Sequence, residues 1–150
     1  MARLDAYTPD PHLVSYFLLL DPKTNKVLLV DHKKASLWLP TGGHVELNEH
    51  PKETVEREVF EELGIQADFL LPGPFFLTVT QTVGQTAGHT DVSVWYLLKG
   101  CSNESYQFDK EEFHQICWFA LADIPYRQSD PHMQRCIEKL KELLKGTHAK

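Results

Sequence analysis

Apolar residues fall in short blocks along this chain, and the spacing inside each block predicts an element. His12 to Leu20 (HLVSYFLLL) contains an apolar run of the length of a buried strand. Lys26 to Asp31 is a second such stretch, and Asp21-Pro22-Lys23-Thr24-Asn25 between them is turn-forming. The two therefore predict a hairpin. Leu37 to Leu39 is a short extended piece stopped by Pro40, and Thr41-Gly42-Gly43 after it reads as a flexible loop. Then the period changes. Val55, Val59 and Leu63 recur at i, i+4 and i+8, which predicts a helix with one buried stripe. His50-Pro51 looks like its start, because a proline at the first helical position lacks only an N–H that would have no partner there. Asn48 is the alternative cap, and Gly64 sits where a left-handed stop is expected.

The second half repeats this alternation of types. Ile65 to Leu71 reads as a strand, Pro72-Gly73-Pro74 as a break, and Phe75 to Val83 as β-rich. Gly84 to Gly88 is turn-like, and Asp91 to Lys99 (DVSVWYLLK) is the clearest strand of this half. Cys101 to Glu112 is polar enough for an exposed loop, and Ile116 to Ala120 is a short strand. From Pro131 to Lys145, Met133, Ile137, Leu140 and Leu144 keep helical spacing and predict a closing amphipathic helix. There is no internal repeat and no linker. Mixed strands with two separated helices predict one α+β domain, or an α/β sandwich, over residues 1–150.

Composition narrows the function classes. A chain of 150 residues builds one domain with a real core. The net charge of −6 argues against long nucleic acids, which need a basic surface. It leaves room for a small anionic ligand held by a few local cations. Cys101, Cys117 and Cys136 have no metal-ligand spacing and cannot form a complete intrachain disulfide set. Reduced thiols in a cytoplasmic protein are expected. No signal peptide and no membrane-spanning apolar run is visible, so no membrane partner is expected.

The chemistry concentrates in residues 43–65. Glu58, Glu61 and Glu62 stand at i, i+3 and i+4, neighbours on one helical surface. Like charges this close are unfavourable on a bare helix. A hard divalent cation among them reverses that, and Mg2+ takes oxygen ligands. Gly42 and Gly43 just upstream suggest a backbone that approaches phosphate closely. On the helix wheel the three glutamates lie together beside the apolar stripe, at the edge of a cleft.

Gly43, Glu49, Arg57, Glu58, Val59, Glu61, Glu62, Gly64 and Ile65 fill every fixed position of G-x5-E-x7-R-E-U-x-E-E-x-G-U, where U is a bulky aliphatic. The segment resembles the signature of the Nudix (MutT-like) hydrolases, and Trp38-Leu39-Pro40 and the order of elements extend the likeness over most of the chain. The resemblance implies an α/β/α sandwich with a mixed sheet, the signature helix and a C-terminal helix. It also implies Mg2+-dependent hydrolysis of a nucleoside diphosphate linked to another group, with Mn2+ able to substitute. Glu61 and Glu62 match the usual metal ligands, with the Gly42 carbonyl a further one. Glu58 matches a position given as ligand or as the base that orients water. Arg57 matches the arginine that holds such a glutamate, and Glu49 an outer position. A base or extra ligand from a loop near the last strand corresponds to Glu111 or Glu112, for which solvated loop charges are the plainer reading.

Substrate contacts are less defined. Gly43 is placed to meet phosphates; His32, Lys33 and Lys34 are either phosphate contacts or solvated turn residues, and His44 is a further candidate at a position where the family motif varies freely. Trp38 is either a stacking surface or core. His89 and Asp91 open a strand facing the cleft. Trp95 and Tyr96 point to opposite faces, so one is core and the other lines the pocket; a base pocket is expected from among Phe75, Phe76, Trp95 and Tyr96, with Trp95 a substrate contact. One departure stands out: Pro40-Thr41-Gly42-Gly43 carries a residue more than the P-G-G of many nucleotide-pool members. Markers of ADP-ribose hydrolases (a proline near Val79 to Gln81), dinucleoside polyphosphate hydrolases (a tyrosine near Gln81 to Val83) and coenzyme A pyrophosphatases are absent. Elimination leaves a nucleoside triphosphate, oxidised or not, cleaved to monophosphate and pyrophosphate. The alternatives are ADP-ribose or a nucleotide-sugar, a non-catalytic nucleotide-sensing module, or an isoprenoid diphosphate isomerase. A monomer or homodimer is expected.

Overall fold

The computed structural model describes residues 12–81 and 90–148. In chain order it has β1 (His12–Asp21), β2 (Lys26–His32), β3 (Leu37–Leu39), β4 (Thr41–His44), α1 (Pro51–Leu63), β5 (Phe76–Gln81), β6 (Thr90–Lys99), β7 (Phe113–Ala120) and α2 (Met133–His148). β1 organises the sheet. One edge runs parallel to β6 from His12↔Asp91 to Leu20↔Lys99. The other edge is divided: residues 19–21 pair with β2 through the hairpin, and residues 14–17 pair with β4. β2 is divided in the same way, between β1 and β3 on one edge, with β7 on the other. β5 closes the far side of β6. β1 and β2 therefore splay apart beyond their hairpin, and β3-Pro40-β4 lines the gap.

Strand alternation splits the core into two layers. Leu18, Leu20, Trp95 and Leu97 face Met133, Cys136, Ile137 and Leu140 of α2. Phe17, Leu19, Tyr96 and Leu98 face Val55, Val59 and Leu63 of α1. This is the α/β/α sandwich. Each fully buried side chain in the α1 stripe stabilises by about 1.5–3 kcal/mol. Among the described residues, no helix is long and apolar enough to cross a membrane.

Three expectations need correction. Thr41-Gly42-Gly43 is not a flexible loop but most of β4, with Gly42 opposite Tyr16 and Gly43 opposite Ser15. A Cβ on Gly42 would sit 2.2 Å from the Ser15 carbonyl, so here glycine serves close packing of backbone on backbone. Residues 65–71 are not a strand. They follow the end of β6 through two backbone bonds, Leu70 N to Leu97 O and Lys99 N to Asp68 O, with one isolated bridge at Phe69. The last strand begins at Phe113 rather than Ile116, because β2 extends far enough to pair with it. The turn expected at Gly84 to Gly88, and His89, lie outside the described residues.

Candidate active site

α1 sets the site. His50 is its N-cap: His50 Nδ1 accepts from Lys52 N at 3.0 Å, and Glu53 Oε1 accepts from His50 N at 2.8 Å. This reciprocal pair, rather than Asn48, fixes the start at Pro51. Gly64 ends the helix in the left-handed conformation, φ 71°. Ser15 Oγ donates to Pro51 O at 2.9 Å, which ties the first turn to β1. With both ends fixed, Val55, Val59 and Leu63 go into the core, and Glu58 and Glu62 turn toward β4.

Arg57 holds the acidic residues in register. Its Nε and Nη2 donate to Glu49 Oε2 and Oε1 at 3.0 and 3.1 Å, and Nη1 donates to Glu58 Oε2 at 2.9 Å. Nη1 also lies 3.7 Å from Glu61 Oε1. Thr54 Oγ1 and Glu46 N complete the shell of Glu49. The hydrogen bonds from Arg57 lower the Glu49 carboxyl to about 2, so it stays ionised. The paired fork suits a positioning role.

Glu62 is the unusual member. It is 5% exposed, and its Oε1 is buried without a hydrogen-bond partner among the described residues, as is Thr41 Oγ1. Burial, and then the charge of nearby Glu58, push the Glu62 carboxyl up to about 9. Burial also raises Glu58, against the pull of Arg57. A buried carboxylate oxygen that makes no hydrogen bond, with only the Thr41 hydroxyl nearby to temper the charge of a second carboxyl, is a poor arrangement for a bare protein. It is a good one for a cation, so the donor set fits a divalent metal ion. Gly43 borders it closely: a Cβ there would stand 2.4 Å from Glu58 Oε2. Glu61 lies outward, with its side chain 58% exposed, on the rim rather than in the wall.

Glu62 faces a cleft of about 230 Å³ in the gap where β1 and β2 splay apart. Gly42, Gly43, His44, Glu62, Asp91, His32 and Glu112 line it. Glu112 contributes to raising Glu62 and stands 3.9 Å from His32 Nε2. Glu111 and Lys34 border a neighbouring surface hollow instead. The expected aromatic pocket is not formed. Trp95 is wholly buried, its Nε1 donating to Thr78 Oγ1 at 3.1 Å, and Tyr96 and Phe75 are buried in the two core layers. Trp38 packs edge-on against Phe119, 5.2 Å between centroids. The aromatic side chains that do line the cleft are Tyr16 and Phe113. Tyr16 rests edge-on against Trp95 at 5.1 Å, and burial, with Asp130 and Asp91 nearby, raises its phenol to about 12. The signal for Tyr16 was its even-numbered alternation with Val14 and Leu18 on β1.

Residues 10–140 match the family model of the NUDIX domain. The chain belongs to the Nudix family. A Mycobacterium tuberculosis relative whose description reads "Putative mutator protein MutT4" is 29% identical over 119 residues, covering 77% of this chain and 45% of that protein. The chain thus spans less than half the length of that relative. Among solved structures, a MutT NUDIX hydrolase from Burkholderia pseudomallei superposes with a TM-score of 0.71 at 22% identity, covering 87% of this chain and 98% of that one. A NUDIX-family hydrolase from Clostridium perfringens gives 0.68 at 24%, covering 88% and 97%. At these identities the likeness establishes the Nudix fold. α1 with its flanks is the Nudix box of this chain, intact at every fixed position.

Proposed function

We propose that this Nudix protein is a Mg2+-dependent hydrolase of nucleoside diphosphates linked to another group, most favourably nucleoside triphosphates, oxidised or not. The observation that carries this is the buried, unpartnered Glu62 oxygen beside Glu58 at the wall of the cleft. Glu58, Glu61 and Glu62, with the Gly42 carbonyl, would hold Mg2+, or Mn2+ in its place. When bound, the ion supplies charge neutralisation of the diphosphate and acidification of a water. The chain supplies the rest. Arg57 and Glu49 keep Glu58 in one orientation. Gly42 and Gly43 line the cleft, and their lack of side chains lets β4 pack against Ser15 of β1 and against Glu58. Glu58, or Glu112 across the cleft, accepts the proton of the attacking water. The attack falls between the α and β phosphates and releases a monophosphate and pyrophosphate.

The cleft is smaller than the about 300–1,000 Å³ that usually encloses a drug-sized ligand. It suits the charged linkage, with Tyr16 and Phe113 as the apolar surfaces nearest to it. Hydrolysis of ADP-ribose or a nucleotide-sugar is the second reading, since the box alone serves both.

The test assays the purified chain with Mg2+ against nucleoside triphosphates, ADP-ribose and nucleotide-sugars, identifying both products. Triphosphates should give the highest kcat/KM, with pyrophosphate released and activity abolished by excess chelator. A higher value for ADP-ribose overturns the substrate, and full turnover in chelator overturns the mechanism.

A further inference from the structure

At the border of the cleft stands a second group of metal-ligating side chains, none of them on α1. His12 on β1, His44 at the end of β4 and Asp91 on β6 each offer one donor atom, all within 4.8 Å of one another. Sheet register gathers them. His12 is opposite Asp91 in the parallel ladder, and His44 is opposite Val14, two residues along β1 from His12. Residues i and i+2 share a face of a strand, so the three side chains rise from one face of three adjacent strands. His12 Nδ1 lies 3.8 Å from Asp91 Oδ1, and the two imidazoles meet edge-on with centroids 6.1 Å apart.

We propose that His12, His44 and Asp91 form a binding site for a divalent transition-metal ion such as Zn2+, distinct from the site on the Nudix helix. The donor types favour such a metal. Two imidazoles and a carboxylate suit Zn2+, Co2+ or Ni2+, whereas Mg2+ prefers an all-oxygen shell. The spacing permits it. In a tetrahedral shell, metal–ligand bonds of about 2.0–2.2 Å put two donors of one ion about 3.3–3.6 Å apart. Donors already within 4.8 Å converge by small side-chain rotations. Three protein ligands leave a fourth position for water or substrate. His44 and Asp91 line the same cleft as Glu62, so that position opens toward the site of the proposed hydrolysis. The ion would anchor an anionic oxygen on the side of the cleft formed by His44 and Asp91. Binding of the metal alone does not depend on the hydrolase reading.

The test uses the full chain carrying Glu58→Gln and Glu62→Gln, which silences the box. Zn2+ affinity is measured by competition with a chromophoric chelator, and Co2+ is followed by visible absorption. This background should bind one Zn2+, not displaced by a tenfold excess of Mg2+. Adding His44→Ala or Asp91→Asn should weaken binding at least ~10-fold, the cost of losing even an outer-shell partner of a metal ligand. In the otherwise unaltered chain, His44→Ala alone should lower total Zn2+ stoichiometry by one, with an unchanged circular dichroism spectrum. No Zn2+ bound by the background, equal binding after His44→Ala or Asp91→Asn, or displacement by Mg2+ overturns the proposal.

Discussion

Burial beside Glu58 makes ionisation of the Glu62 carboxyl costly to the fold. Its folded carboxyl lies near 9, far above the unfolded value of about 4.3. The stability this group contributes is therefore complete below pH ~4.3 and is lost as pH rises through the folded value. The thermal midpoint of the metal-free protein should fall between pH 5 and 9, and Glu62→Gln should flatten that slope and raise the midpoint at pH 7. The same substitution should lower kcat at least ~100-fold, the scale of losing a major electrostatic group. Wild-type turnover in Glu62→Gln would remove it from the metal shell. The adjacent glycines give a contrasting pair. A methyl group on Gly42 meets backbone at 2.2 Å, so Gly42→Ala should destabilise by about 1–3 kcal/mol or more in thermal unfolding. On Gly43 the nearest atoms it meets belong to the Glu58 side chain, which can yield by giving up its bond to Arg57. Gly43→Ala should fold normally and lose roughly 100-fold in kcat, as expected for a catalytic group misplaced by about 1 Å. Equal stability losses in the two variants would contradict this account.

Among the elements, α1 was the most legible, because its start, stripe and stop are all local signals. So was the β1–β2 hairpin, whose turn residues lie between two apolar runs. β4 was hidden. Two consecutive glycines look like a loop until β1 is placed beside them, and no local pattern reveals that partner. Residues 65–71 have strand composition, yet they find only the last residues of β6 to pair with, since β5 occupies the rest. In the site, the box residues came straight from spacing, but the aromatic wall did not. Trp95 and Tyr96 alternate as expected, and both faces of their strand turned out to be covered by helices. The loop after β6 illustrates another long-range tie. Ser102 N and Oγ donate to Asp21 Oδ2 at 2.8 and 2.6 Å, which holds the Asp21 carboxyl well below the usual carboxylate range. With the folded value lowered, this stability is present above the unfolded value of about 3.9 and is lost as pH falls toward the folded one. Asp21→Asn should lower the thermal midpoint at pH 7 and weaken its decline in acid. An unchanged acid profile would show that the tie to Ser102 contributes nothing measurable.

At the scale of the whole molecule, the cleft and the cores arise from one arrangement. β1 carries apolar side chains toward both helices and shares its length among β2, β4 and β6. Where β2 leaves it, the cleft opens; where β6 accompanies it, the two layers of core are held together. Peripheral strands can fray singly, as β5 can at the sheet edge, with Leu77 and Val79 each 56% exposed. β1 has no such freedom, since its backbone bonds cannot open without parting three neighbours and both helices. In deuterated water, the amide protons of residues 14–20 should then exchange last, at a free energy equal to that of global unfolding, about 5–15 kcal/mol. Those of β5 should exchange orders of magnitude sooner. Isotope uptake followed by mass spectrometry would thus rank the strands by how many partners each must abandon, and faster uptake in β1 than in β5 would show that the sheet opens from within.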